Sequence, residues 1–151
     1  MKKWMLLLIL IIFIVGCTNK VVTSSEFINM AKDDGYIVKE DKTNYETFKY
    51  IKDVFYAINR ENAYDIQFLE LENDEYAQKF FLLNKEDLSK NITTNSYVKT
   101  KENSSYGLLH IETDNEYLLV IRCKNNIIYI KADINYINEI EEFLSDLGLE
   151  Y

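Results

Sequence analysis

The chain has 151 residues, a formal net charge of −8, one histidine, two cysteines and no proline. So acidic a chain is repelled by nucleic acid and by anionic lipid head groups, which removes both as direct partners of its folded part. The length fits one domain of ordinary size, able to bury most of its apolar surface.

Lys2 and Lys3 precede an unbroken apolar run from Trp4 to Val15. A helix needs roughly 20 apolar residues to cross a bilayer, so this run is too short to span. An apolar core behind basic residues and ahead of a small one fits an export signal instead. Ile14-Val15-Gly16-Cys17 then sets two branched apolar residues and a glycine directly before a cysteine. This segment resembles the bacterial lipobox. The resemblance implies cleavage after Gly16, a diacylglycerol thioether on the Cys17 sulfur, and a mature chain beginning at Cys17. A plain secretory signal or a short membrane anchor is the alternative reading of the same residues.

On the lipobox reading, residues 1–16 are a signal peptide, 17–25 the lipidated cysteine with a short tether, and 26–151 a single α+β domain. The mature chain then holds 15 basic and 25 acidic residues, a net charge of −10. A two-chain anchor holds a protein at a membrane where one chain is marginal. An extended tether at roughly 3.5 Å per residue keeps the domain within about 30 Å of the bilayer. The missing proline and the abundance of Asn, Lys, Ile and Tyr indicate an AT-rich, Gram-positive-type source. The expected location is the extracytoplasmic face of the cell membrane.

A first helix is predicted from Glu26 to Asp33, capped by Ser24 or Ser25, with an apolar stripe of Phe27, Met30 and Ala31 and a stop at Gly35. Tyr36–Lys39 reads as a short strand. Phe48–Asn59 has both helical spacing and β-forming residues. The polar Arg60-Glu61-Asn62 before the strand Tyr64–Leu71 favours a hairpin over a helix. Asn73 or Asp74 caps a second helix with Tyr76, Ala77, Phe80, Phe81 and Leu83 on its buried side. Lys85–Ser105 is strongly polar and shows no convincing element, as a functional or disordered loop would. Strands follow at Tyr106–Thr113, Glu116–Arg122 and Ile127–Lys131, joined by Asp114-Asn115 and Lys124-Asn125-Asn126. A last helix begins near Asp133 and runs to Leu147, its core face Ile137, Ile140, Phe143, Leu144 and Leu147, with Gly148 ending it.

These elements predict an α+β fold: a mainly antiparallel sheet of five to six strands against two to three helices, in two strand-strand-strand-helix halves behind a leading helix. The chain is similar in layout to small Gram-positive-type lipoproteins that carry one α+β domain. The shared features are the Ile14–Cys17 lipobox and the strand Tyr64-Asp-Ile-Gln-Phe leading into Ala77 and Phe80. The resemblance brings no catalytic residue and no activity.

With Cys17 committed to lipid, one histidine and one thiol fall short of the ligands zinc takes. Glu70, Glu72, Asp74 and Glu75 are dense, but they lack the spacing of a calcium loop and read as a solvated strand end and helix cap. No phosphate-binding glycine loop or serine-nucleophile motif is present. Glu139 and Glu142 share a helix face that reads as charged surface. His110, in an apolar strand, reads as structural, and Cys123 as a buried small hydrophobe without a base beside it. No metal, no cofactor and no enzymatic activity is expected.

Twelve tyrosines are the remaining anomaly. Tyrosine offers large apolar area with a polar tip, and binding surfaces use it for that reason. Tyr97 and Tyr106, flanking the polar stretch, are the expected exposed binding residues. The reading is a membrane-anchored, non-catalytic protein-interaction module with an envelope protein as partner. A solute-binding receptor or accessory subunit is the alternative.

Overall fold

A computed structural model describes residues 20–90, 92–149 and 151. Gly16 and Cys17 lie outside the described residues. The elements are α1 (Ser24–Asp33), β1 (Ile37–Glu40), β2 (Ile51–Ile58), β3 (Asp65–Leu71), α2 (Asp74–Ser89), β4 (Tyr97–Glu102), β5 (Tyr106–Glu112), β6 (Glu116–Cys123), β7 (Asn126–Asp133) and α3 (Ile137–Asp146).

The strands form one seven-stranded sheet in the order β1-β2-β3-β7-β6-β5-β4, antiparallel at every pairing. The fold is α+β, with a larger sheet than the five to six strands expected. Strand-strand-strand-helix does occur twice in chain order, as β1–β3 with α2 and as β5–β7 with α3; β4 is extra. Alternate residues of the central strands feed two separate cores. Phe68, Leu108, Leu119, Ile121, Ile128 and Ile130 point to one face, covered by Phe27 and Ala31 of α1 and by Ile140, Phe143 and Leu144 of α3. Leu69, Leu109, Leu118, Val120 and Ile127 point to the other, covered by Ala77, Phe80 and Phe81 of α2. With both faces buried, β5 and β6 read as nearly continuous apolar runs with no alternation.

The ambiguous segment is a strand: β2 pairs along its length with β3. The turn after it works through Asn59, whose Oδ1 accepts from the Ala63 amide at 2.7 Å, and through Asn62 in the left-handed region at φ 55°. α1 starts two residues ahead of the prediction. Its cap is Thr23, not Ser24 or Ser25, because Thr23 and Glu26 form a reciprocal capping box. Both α1 and α3 end in paired backbone bonds across a left-handed glycine, Gly35 at φ 84° and Gly148 at φ 74°. α3 begins at Ile137, after a single 3-10 turn over Ile134–Tyr136 that takes up the residues behind Asp133.

Two further expectations fail. Leu83 is exposed, because at 3.6 residues per turn it lies about 120° round α2 from the stripe of Ala77, Phe80, Phe81 and Leu88. The stretch 85–105 is largely regular: α2 continues to Ser89, and β4 occupies Tyr97–Glu102. β4 is an edge strand, so neither of its faces needs an apolar set, and the periodicity that marks a strand is missing.

The sheet has two distinct ends. At one, Val22 is buried, Asn126 Nδ2 donates to its carbonyl at 2.8 Å, and Cys123 Sγ donates to the Lys20 carbonyl at 3.2 Å. The β4–β5 and β6–β7 turns lie at this Lys20 end, and the β2–β3 and β5–β6 turns at the other.

Candidate interaction surface at the β4 edge

β4 pairs with β5 alone and leaves its other side open among the described residues. The turn that ends β4 and leads into β5 is closed by a bond from the Asn103 amide to the Tyr106 carbonyl at 2.8 Å. Antiparallel pairing alternates from there, so Lys101, Lys99 and Tyr97 bond to β5 while Glu102, Thr100 and Val98 turn their amides and carbonyls outward. Tyr97 stands at the end of β4 remote from Lys20 and is 53% exposed; Val98 and Ile92 are also exposed.

Tyr106 is not the exposed partner expected of it. It is only 4% exposed and pairs with Cys123 on the face covered by α1 and α3. Once 97–102 is a strand, Tyr106 opens an inner strand, and burial pushes its hydroxyl pKa above the usual 10. Only Tyr97 of the two is available to a partner.

Behind Tyr97 lies a packed polar-aromatic cluster. The Tyr97 ring is 5.4 Å from that of His110, edge on, and Tyr117 and Tyr151 lie 5.1 and 5.7 Å from the same imidazole. The Tyr117 and Tyr151 hydroxyls share a hydrogen bond of 3.0 Å, and Tyr151 donates to Glu141 at 3.5 Å. Glu112 Oε1 sits 2.8 Å from His110 Nε2, but outside hydrogen-bond geometry, so this buried nitrogen has no bonded partner among the described residues. Burial lowers the His110 pKa below its ordinary 6.5 and Lys99 adds to this, while Glu112 and Glu141 oppose it. Cys123 does not meet His110. The residue opposite His110 is Leu119, four residues or about 13 Å from Cys123 along β6. Burial also raises the Cys123 pKa, which favours the neutral thiol over the thiolate.

The β4–β5 turn is held from inside by Arg122, which is wholly buried on the α2 face. Its Nη2 donates to the carbonyls of Asn103 at 2.7 Å and Tyr106 at 3.0 Å, and its Nη1 to Ser104 at 3.3 Å. Outside, Lys85 of α2 pairs with Glu102 at 3.0 Å. The only sequence signal for Arg122 was a single arginine near the end of a largely apolar strand.

A second feature is an acidic cleft beside α3. Two adjoining cavities of about 200 and 220 Å³ share Asp34, Tyr36 and Glu139 and extend to Arg60 and Glu61 on one side and to Glu142 and Asp146 on the other. Glu139 and Glu142, both exposed as expected of a charged surface, line this cleft. Tyr36 and Tyr64 share a buried hydroxyl bond of 2.8 Å, and Arg60 Nε donates to the Gly35 carbonyl at 2.9 Å. Burial pushes the Tyr36 pKa to about 12, and burial with Asp146, Asp33 and Glu142 nearby raises that of Asp34. Glu70 and Glu75 are held by Lys52 and Lys79, and no group of three metal-ligating side chains occurs among the described residues.

No protein-family model, no curated protein sequence and no solved structure matches this chain.

Proposed function

We propose that this chain is a membrane-anchored extracytoplasmic lipoprotein whose domain serves as a non-catalytic protein-interaction module of the cell envelope. The observation that carries the interaction reading is the open β4 edge with Tyr97 exposed beside it. An unpaired edge offers a row of main-chain donors and acceptors to another chain, and Tyr97 adds apolar area at small entropic cost.

The anchor rests on the lipobox at Ile14–Cys17, and the start of the folded part sets its reach. Lys20 and Val22 are already fastened to the sheet, so the predicted tether to Ser25 shortens to three residues, at most about 10 Å from Cys17 to Lys20. A lipid on Cys17 then turns the Lys20 end towards the bilayer. β4 stands up from the membrane, and Tyr97 sits about 17 Å above the β4–β5 turn.

Two measurements test this. Cys17→Ala should move the protein from the membrane fraction to the soluble one; retention in the membrane would refute the anchor. A photo-crosslinking amino acid at Tyr97 of the lipidated chain should trap one envelope protein reproducibly, while the same group at Lys79 on α2 should not. Equal yields from both positions would refute β4 as the surface.

The acidic cleft favours a second reading, a receptor for a small cationic solute, because Asp34, Glu61, Glu139, Glu142 and Asp146 all line it. A dose-dependent rise in Tm with a polyamine, lost in Glu139→Gln, would favour it.

A further inference from the structure

We propose that β4 takes its partner by strand addition and that the partner segment is an extended, acidic stretch of another protein. The proposal rests on the interaction reading above and names the occupant of the same edge. Val98, Thr100 and Glu102 present three outward residues, each with an amide and carbonyl in strand geometry that are free among the described residues. An added strand pairs with those groups whatever its side chains, so the side chains of β4 decide which strand is accepted.

Those side chains are basic on one face. Tyr97, Lys99 and Lys101 project to the face of α1 and α3, and Val98, Thr100 and Glu102 to the face of α2. Glu102 is already neutralised by Lys85 at 3.0 Å. The edge therefore presents two lysines in a chain whose net charge is −8. Lysines on an edge guard it against self-pairing, and here the geometry shows how. An antiparallel pair of two β4 strands centred on Thr100 sets Lys99 of each copy opposite Lys101 of the other, and like charges directly opposite destabilise a sheet. The same two positions accept an incoming strand with carboxylates at i and i+2, each beside a lysine. Tyr97 and Val98 then supply apolar contact at the far end of the strand. The lysines thus exclude a second copy and select an acidic partner.

The test uses the full lipidated chain in detergent micelles and two capped hexapeptides. One alternates glutamate with valine and threonine; the other has lysine in place of each glutamate. Amide hydrogen exchange is read residue by residue. The acidic peptide at ten times its Kd should slow exchange of Val98, Thr100 and Glu102 by about elevenfold, by mass action. Tyr97, Lys99 and Lys101, already bonded to β5, should change little, and the lysine peptide should have no effect. Thr100→Pro removes an outward amide that β5 does not use and should abolish the protection. Lys99→Glu with Lys101→Glu should reverse the peptide preference; this pair keeps the test open if the proline variant misfolds, with Thr100→Ala as the fold control.

Three results would each overturn the proposal: no protection at these amides, protection indifferent to peptide charge, or binding that survives Thr100→Pro in a folded protein. Protection that grows with protein concentration in the absence of peptide would overturn it in favour of a second copy. A Tyr97 crosslink without acidic-peptide protection would leave the interaction module standing and remove strand addition.

Discussion

Arg122→Met isolates the one buried charge that positions β4. Methionine keeps an unbranched side chain of similar reach but loses the guanidinium fork, and with it the bonds to the carbonyls of Asn103, Ser104 and Tyr106. Burial lowers the Arg122 pKa, but a guanidinium stays protonated in proteins, so all three bonds are charge-assisted. Such bonds contribute about 1.5–3 kcal/mol each. Asn103 and Ser104 lie on an exposed turn where water can replace the donor, whereas the buried Tyr106 carbonyl keeps only the Asn103 amide and no charged donor. Removing a buried ion also returns several kcal/mol of desolvation. The net expectation is a loss of about 2–4 kcal/mol, or roughly 6–14 °C in Tm for a domain of this size. Urea titration followed by circular dichroism gives the global value, and hydrogen exchange of Tyr97, Lys99 and Lys101 gives the local one. A variant within about 0.5 kcal/mol of the parent would refute the reasoning. So would a global loss with unchanged exchange in β4, since Arg122 would then act by filling volume and not by holding the turn.

Gly107 lies beneath α2, and a Cβ there would sit 2.9 Å from the ring of Phe81, itself fully buried. Gly107→Ala should cost about 1–3 kcal/mol by chemical denaturation, with part recovered by Phe81→Leu in a double-mutant cycle; a neutral result would show that the helix shifts freely. Tyr106→Ala should cost about 3–5 kcal/mol, whereas Tyr97→Ala should stay within about 0.5 kcal/mol while lowering partner crosslinking; comparable stability losses at both would contradict their burial. His110 has a folded pKa below its ordinary 6.5, so the unfolded chain binds more protons just below that pH. Its contribution to stability is complete above about pH 6.5 and falls as the pH drops towards the lower folded pKa. His110→Phe should flatten the pH 7 to 5 stability profile, and an unchanged slope would exclude this histidine as its source.

The sequence by itself determined what short-range chemistry can settle. Turn residues at Arg60–Asn62, Asp114-Asn115 and Lys124-Asn125 set the hairpins, Gly35 and Gly148 end two helices, and Ala77, Phe80 and Phe81 mark the buried side of a third. These signals were enough for the α+β class and for β2 as a strand. They could not supply the pairing of β3 with β7, which joins residues about sixty apart and makes one seven-stranded sheet of two meanders. That pairing buries Ile66 and Phe68 with Ile128 and Ile130 on one face and Leu69 with Ile127 on the other, so the two strands are covered from both sides at once. The same long-range decision carries β4 to the outer edge, puts Tyr106 inside and leaves Tyr97 outside, although the two tyrosines look alike along the chain. Edge position depends on which neighbours a strand lacks. That is a property of the assembled sheet, and no local pattern in Tyr97–Glu102 encodes it.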